Sequence, residues 1–341
     1  MMSQRPFFSI LIPVFNQVGL MDKCIEAITE QTFKDFEVIL VDDGSTDTSY
    51  KMCQGFCEKD HRFKVIQHPK NSSLLAARLT GMKASEGDYI LFVDSDDYIE
   101  KNSLELLHNS LSKKPVDILQ FGYIKEFVGD TTGSFGSMLK ENEYVLPLET
   151  DDLLSAILQD KTVQNVWKNC YSYAIVKKAA ERVEPFYCNM GEDVFWSTVF
   201  FTCAKTYGIL NECLYHYIIG NGMSTTMVNQ SVEKLQTHIN NVKFCIDHLR
   251  DYMKKYAPDY LELLQEKFIS MNCFTLLIFI MDEPDYRKVI NYLKVFDTEE
   301  LAKVFDYGCN KALSYKFRAQ YKISDEMLDN IGVQYPKFVM K

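Results

Sequence analysis

The first hundred residues alternate short apolar runs with segments of helical period, and few folds accept that alternation. FFSILIPV (7–14) is continuous and rich in β-branched residues, as a strand covered on both faces must be. Leu20, Cys24, Ile25 and Ile28 then recur at helical spacing. FEVILVDD (36–43), FKVIQH (63–68) and DYILFVD (88–94) read as three further strands. Between them, Thr48, Met52 and Phe56 mark one helix, and Leu74, Leu75, Arg78, Leu79 and Met82 mark another. The order β-α-β-α-β-α-β predicts an α/β fold, a mostly parallel sheet with helices on both faces. Ligands in such sheets bind beyond the carboxyl ends of the strands. Two acidic clusters lie at those ends, Asp42 with Asp43, and Asp94 with Asp96 and Asp97.

Past residue 115 the pattern changes. VDILQFGYIKEFV (116–128) reads as strand near an edge of the sheet, and GDTTGSFGSMLKENEY (129–144), with Gly, Ser and Thr but no period, as a mobile loop or hairpin tip. Short strands are expected around VWKNCY (166–171) and CLYHYI (213–218), flanking a helix that begins near Gly191. From 226 onward the chain reads as all helical: Leu235, Ile239, Val242, Cys245 and Leu249 step by three and four, and Asp297 with Glu300 resembles a capping box. The expected division is a catalytic domain over 1–225 and a smaller helical domain over 226–341.

Composition removes several classes. With 341 residues, 47% hydrophobic, the chain can bury a sizeable core. A net charge of −10, with no block of Lys or Arg, gives nucleic acid no basic face to bind. The ten cysteines are scattered; Cys53 and Cys57 are at helical spacing with no second pair at zinc-site distance, which reads as free thiols in a reduced cytosol. The N-terminus lacks the apolar core and small-residue cleavage site of a signal peptide. FISMNCFTLLIFIM (268–281) is too short to span a bilayer and reads as a core helix. A cytoplasmic protein is expected, in reach of the inner membrane face.

Three carboxylates crowded at a strand tip raise one another's pKa unless a cation sits among them. Calcium is one reading: from Asp94, the EF-hand spacing matches at Asp96 and Glu105 but fails at Tyr98 and at Ile99, where the turn needs glycine. A nicotinamide cofactor is another, with Asp42 on a ribose, but PVFNQVG offers one glycine where that fold needs several. A third is Mg²⁺ or Mn²⁺ bridging two phosphates of a nucleotide, which takes one or two carboxylates plus phosphate oxygens. An Asp-X-Asp has that reach, one carboxylate for the metal and one for a sugar hydroxyl. A merely solvated acidic loop also remains open.

The motif has company. FSILIPVFN (8–16), QTFKDFEVILVDDGSTD (31–47), AARLTGMKASEGDYILFVDSDD (76–97) and GED (191–193) occur in that order, and together they resemble the family 2 glycosyltransferases with their GT-A fold. The resemblance covers about residues 7 to 220. It implies an inverting enzyme that moves a sugar from a nucleoside-diphosphate donor, a UDP-sugar foremost, to a saccharide or lipid-linked saccharide acceptor in surface polysaccharide synthesis, with Mn²⁺ or Mg²⁺.

It also implies roles by position. Pro13, Val14, Phe15 and Asn16 would form the turn beneath the base, Asp42 would accept a hydrogen bond from it, and Arg78 would meet the nucleotide as a cation. Asp94 and Ser95 would face ribose or donor sugar, Asp96 would bind the metal, and Asp193 would be the general base. Asp43 reads as a cap on the Gly44–Asp47 turn. Some positions depart from the family pattern. KNSSLL lacks the glycine expected before Arg78, Trp167-Lys168-Asn169 swaps the family's polar pair, and His216 stands near a missing arginine. The helical region could serve the acceptor, pair two copies into a homodimer or touch the membrane. A non-catalytic nucleotide-sugar binder or scaffold is the alternative reading.

Overall fold

The computed structural model describes residues 5–127, 135–137, 150–158, 164–219 and 232–269. Its chain separates into two compact units, one of residues 1–157 and 161–225, the other of residues 158–160 and 226–341.

The first unit opens with the expected alternation. Strand β1 (Phe8–Val14) is followed by helix α1 (Met21–Thr29), β2 (Phe36–Asp42), α2 (Ser49–Lys59), β3 (Phe63–Gln67), α3 (Leu74–Ala84) and β4 (Tyr89–Phe92). β1 pairs in parallel with β2 and β4, and β2 with β3. Both faces of β1, β2 and β4 are covered. Phe8, Ile10, Ile12 and Val14 join Val38 and Leu40 in one core with Met21, Cys24, Ile25 and Ile28 of α1. On the other face, α3 lies so close that a Cβ on Gly81 would stand 3.4 Å from the Leu11 side chain. Each such Leu or Ile removed from water contributes about 1.5–3 kcal/mol.

The rest of the sheet is mixed. β5 (Tyr98–Ile99), α4 (Ser103–Lys113) and β6 (Ile118–Phe127) come next, then β7 (Phe135–Ser137) and α5 (Thr150–Leu158). β8 (Asn169–Ser172), α6 (Tyr173–Arg182), α7 (Glu192–Cys203) and β9 (Tyr207–Ile219) complete the unit. The strand order is β3-β2-β1-β4-β8-β6-β9-β5, with β7 on β6. β8 runs antiparallel to both β4 and β6, while β9 is parallel to β6 and antiparallel to β5.

Two expectations change here. The 116–128 run is interior, not at an edge, because β8 and β9 cover both of its sides and Ile118, Leu119 and Phe121 are buried. VWKNCY starts as a 3₁₀ turn (Val166–Lys168), and only from Asn169 does it join the sheet. The Gly-rich stretch contributes β7, antiparallel to β6, and otherwise lies outside the described residues.

In the second unit, α8 (Val232–Tyr256) buries Ile239, Cys245, Ile246, Leu249 and Met253 along one stripe. The 268–281 run, apart from its first two residues, and the Asp297 capping box lie outside the described residues. Among the described residues, no helix is long and apolar enough to cross a membrane.

Candidate active site

The carboxyl ends of β1, β2 and β4 meet the start of α7, and each acidic residue there has a distinct fate. After β4 the chain turns sharply, the Asp97 amide donating to the Asp94 carbonyl at 3.1 Å. Asp97 is buried and faces β9: it accepts from the Ile218 amide and the Tyr215 hydroxyl, both at 2.7 Å. The same Tyr215 oxygen accepts from the Asp94 amide at 3.1 Å. Asp97 therefore fastens β9 to the turn, and burial with Asp94 and Asp96 nearby pushes it up to about 8. Asp96 is half-buried and has no hydrogen bond or ion pair to another side chain among the described residues. Burial and Asp94 raise it to about 6. Ser95, between Asp94 and Asp96, is buried.

Asp94 turns the other way, to Arg78. The Arg78 side chain is 1% exposed, and its guanidinium gathers three carboxylates: Asp94 at 3.0 Å, Asp193 at 2.6 Å and Glu192 at 3.3 Å. The expected cation is present, but its charge goes to these neighbours rather than to an open face of the cleft. Gly191, left-handed at φ +87°, lets the chain turn into α7 so that Glu192 and Asp193 occupy the first helical turn. Burial raises both carboxyls, Glu192 to about 8. Glu192 is the deeper of the two, with 10% of its side chain exposed against 24% for Asp193. We assign the proton to Glu192 and the charge to Asp193, which has the shorter contact with Arg78.

At the β2 end, Asp42 and Asp43 divide the work differently from expectation. The turn after β2 is capped by Asp42, whose Oδ2 accepts from the Ser45 amide at 3.3 Å. Its Oδ1 is buried without a hydrogen-bond partner. A buried carboxylate oxygen left bare costs free energy, and a ligand N–H would satisfy it. Asp43 is structural, as expected, but grips a different loop: it accepts from the Ser72 and Ser73 amides at 2.8 and 2.9 Å and meets His68 Nδ1 at 2.7 Å. That grip holds Ser73 at φ +93°, a conformation that favours glycine, in the segment where glycine was missed. Gly44 must be glycine: at φ +70°, its Cβ would come within 2.4 Å of the Lys70 carbonyl carbon.

The β1 turn is tied to the same region. Asn16 adopts φ +54°, accepts from the Thr46 amide at 2.8 Å and donates its own amide to the Ser45 hydroxyl at 3.0 Å. Val14 is buried, Pro13 is half-buried, and Phe15 leaves 41% of its surface exposed beside this turn. His216 is a packed residue, its ring stacked on Tyr98 at 4.1 Å and its nitrogens on Glu126 and Glu100 at 2.7 and 2.8 Å. Two further residues lie near enough to act on the Asp193 carboxyl: Asn165, which carried no sequence signal, and Lys168, which stood out only in a tripeptide departing from the family pattern.

The residues suit a divalent cation held through one carboxylate. Asp96 has no competing partner, and Mg²⁺ or Mn²⁺ commonly completes its shell with phosphate oxygens and water. Among the described residues, no group of three or more His, Cys, Asp or Glu side chains gathers as a ready cage.

Comparison with known proteins agrees with this geometry. The family model for glycosyl transferase family 2 matches residues 9–182, about half of the chain. EpsJ of Bacillus subtilis, an uncharacterized glycosyltransferase, is 30% identical over 212 residues, 62% of this chain and 61% of that one. Glycosyltransferase GlyA of Streptococcus pneumoniae is 28% identical over 220 residues, 63% of this chain and 31% of that one. The matches thus span less than two thirds of either relative. The crystal structure of S. aureus TarS 1–349 in complex with UDP-GlcNAc shares the fold, with a TM-score of 0.55 at 18% identity over 95% of this chain and 88% of that one. On the family model, the α/β sheet and the ordered acidic strand ends together, this chain belongs to glycosyl transferase family 2, with a GT-A fold.

Proposed function

We propose that the protein is an inverting glycosyltransferase that moves a sugar from a nucleoside-diphosphate donor, a UDP-sugar foremost, to a hydroxyl of a saccharide or lipid-linked saccharide in surface polysaccharide synthesis. One observation carries the reading: of the acidic groups at these strand ends, Asp43 and Asp97 are consumed by the fold, whereas, among the described residues, Asp42 Oδ1 has no hydrogen-bond partner and Asp96 none from another side chain. They lie on neighbouring parts of one sheet edge, one suited to a base N–H and one to a cation on the diphosphate.

Asp193 is the proposed base. An acceptor hydroxyl attacks the anomeric carbon as the bond to the diphosphate breaks, and its proton passes to the Asp193 carboxylate. The hydroxyl's pKa lies far above neutrality, so a positioned acceptor of the proton is needed. Burial raises the proton affinity of Asp193, while Arg78 keeps it charged and aimed. A divalent cation on Asp96, when bound, would neutralise charge growing on the leaving diphosphate. Donor binding and transfer are assigned to residues 1–225, and additional acceptor, dimer or membrane-face contacts to 226–341.

The test is release of nucleoside diphosphate from a panel of nucleotide sugars with added Mn²⁺. Turnover of at least one donor by the wild type and its loss in Asp96→Ala are expected. A protein that binds no nucleotide sugar and releases none would end this reading.

A further inference from the structure

Beyond the carboxylates, the first unit holds two ammonium groups that the fold does not neutralise. Tyr123 and Lys125 are two apart on β6, so their side chains stand on one face of the sheet. The adjacent β9 sets Tyr215 beside Tyr123 and Tyr217 beside Lys125. Trp167 lies over these residues, stacked on Tyr215 and Tyr217 with ring centres 4.5 and 5.3 Å away, and edge-on to Tyr123 at 5.3 Å. Lys168 follows it and brings its Nζ to 4.0 Å from the Tyr123 ring centre; Lys125 Nζ stands 5.7 Å from the same ring. Two cations thus stand around one aromatic ring.

A ring face accommodates a cation but does not cancel its charge. Among the described residues, neither lysine has a hydrogen bond or ion pair, and both are half-buried, open in part to solvent. Burial, and then Lys125, pushes Lys168 down to about 8, with Asp193 acting in the opposite sense. Asp193 relieves the pair only in part and makes no bond to it, its carboxylate being held by Arg78 at 2.6 Å. The repulsion between the two ammonium groups is a cost that an incoming anion would remove.

We propose that Lys125 and Lys168 form an oxyanion subsite for the acceptor, receiving a phosphate or carboxylate group that the acceptor carries. This rests on the glycosyltransferase reading for the word acceptor, and on side-chain geometry for the anion. The cleft carboxylate whose charge reaches Lys168 is that of the proposed base. The pair therefore belongs to the side where an attacking hydroxyl must arrive, whereas the candidate base and metal contacts, Asp42 and Asp96, are at other strand ends. Tyr123 and Tyr217, half-buried beside the lysines, offer ring surface to the apolar face of a sugar. The acceptor class is thus an anionic glycan, a sugar phosphate or a uronic acid.

A titration of the full-length protein with inorganic phosphate, read by ³¹P line width without divalent cation, tests the subsite directly. Saturable binding is expected, unchanged by excess UDP and weakened at least about tenfold in Lys125→Met/Lys168→Met, since each lost ammonium removes a charge-assisted bond. Lys168→Arg should keep it. Glucuronate displacing the phosphate more tightly than phosphate binds would mark a carboxylate-bearing acceptor, and the reverse a phosphate-bearing one. Equal phosphate affinity in wild type and double variant overturns the subsite. Displacement of phosphate by UDP overturns its assignment to the acceptor. UDP binding by the double variant reports an intact fold. A wild type that binds phosphate through these lysines but no nucleotide sugar would sink the enzyme reading and leave the anion site standing.

Discussion

The guanidinium of Arg78 stands 2.6 Å from the Asp193 carboxylate, and the same group holds Asp94 at 3.0 Å. One residue on α3 thereby locks the end of β4 to the start of α7. The fold needs that cation, because three carboxyl groups converge on a side chain that is 1% exposed. Arg78→Met should cost about 3–5 kcal/mol, the usual penalty for leaving buried charge uncompensated. Arg78→Lys should lose less, yet still lose the fork that reaches Asp94 and Asp193 from separate nitrogens. Urea denaturation of the two variants checks the order. A methionine variant as stable as wild type would mean the carboxyls are neutral without Arg78.

Asp193→Asn keeps the shape at the head of α7 and removes the proton acceptor. Turnover should fall by at least about 10²-fold, with donor affinity nearly unchanged, because the interaction lost is one made in the transition state. Steady-state kinetics with a separate measurement of donor binding makes the distinction. Near-normal kcat would move the base elsewhere, with the neighbouring Glu192 first in line.

Asp96→Ala removes a carboxylate that no other side chain holds. Its melting temperature should stay close to wild type, a change within about 0.5 kcal/mol. Mn²⁺-dependent donor binding should vanish in calorimetry, and metal-independent UDP binding should persist weakly. A variant that binds donor and Mn²⁺ as tightly as wild type would free Asp96 of the metal role.

β1, β2 and β4 were legible because each is a continuous apolar run, and both acidic clusters stand where such strands must end. The partners of those acids were not. Asp97 follows Asp96 in sequence with the same chemistry, and only the pairing of β5 with β9 brings Tyr215 and Ile218 to it. Likewise Asp42 and Asp43 are adjacent, and the alternation of a strand end sends one toward the Ser45 turn and the other toward Ser72 and Ser73. Long-range pairing also hid the interior place of β6, whose second neighbour, β9, comes some ninety positions later. Lys125 carried no signal and Lys168 stood only in a tripeptide departing from the family pattern; their meeting around Tyr123 depends on that same register.

Away from the site, Glu37 and Lys64 join β2 to β3 at 2.9 Å. Burial alone would raise the Glu37 carboxyl, but the Ser9 hydroxyl at 2.6 Å, Lys64 and the Glu86 amide at 2.8 Å together lower it below the ordinary 4.5. A carboxyl depressed on folding adds stability that is present above its unfolded pKa and lost as pH falls through the folded one. Lys64 is raised above 10.5, first by its bond to Glu37, so its share is present below that value and lost as pH rises through the folded one. Lys64 is 54% exposed, so the ion pair itself is worth little and the buried hydrogen bonds dominate. Glu37→Gln should therefore cost about 1–2 kcal/mol near neutral pH. The gap between the melting temperatures of wild type and variant should be constant from pH 6 to 9 and begin to close near 4.5, where Glu37 of the unfolded chain protonates, vanishing as pH falls through the lower folded value. A gap that widens with acid would mean that Glu37 is protonated more readily in the folded protein than in the unfolded chain, against the geometry at Ser9 and Glu86.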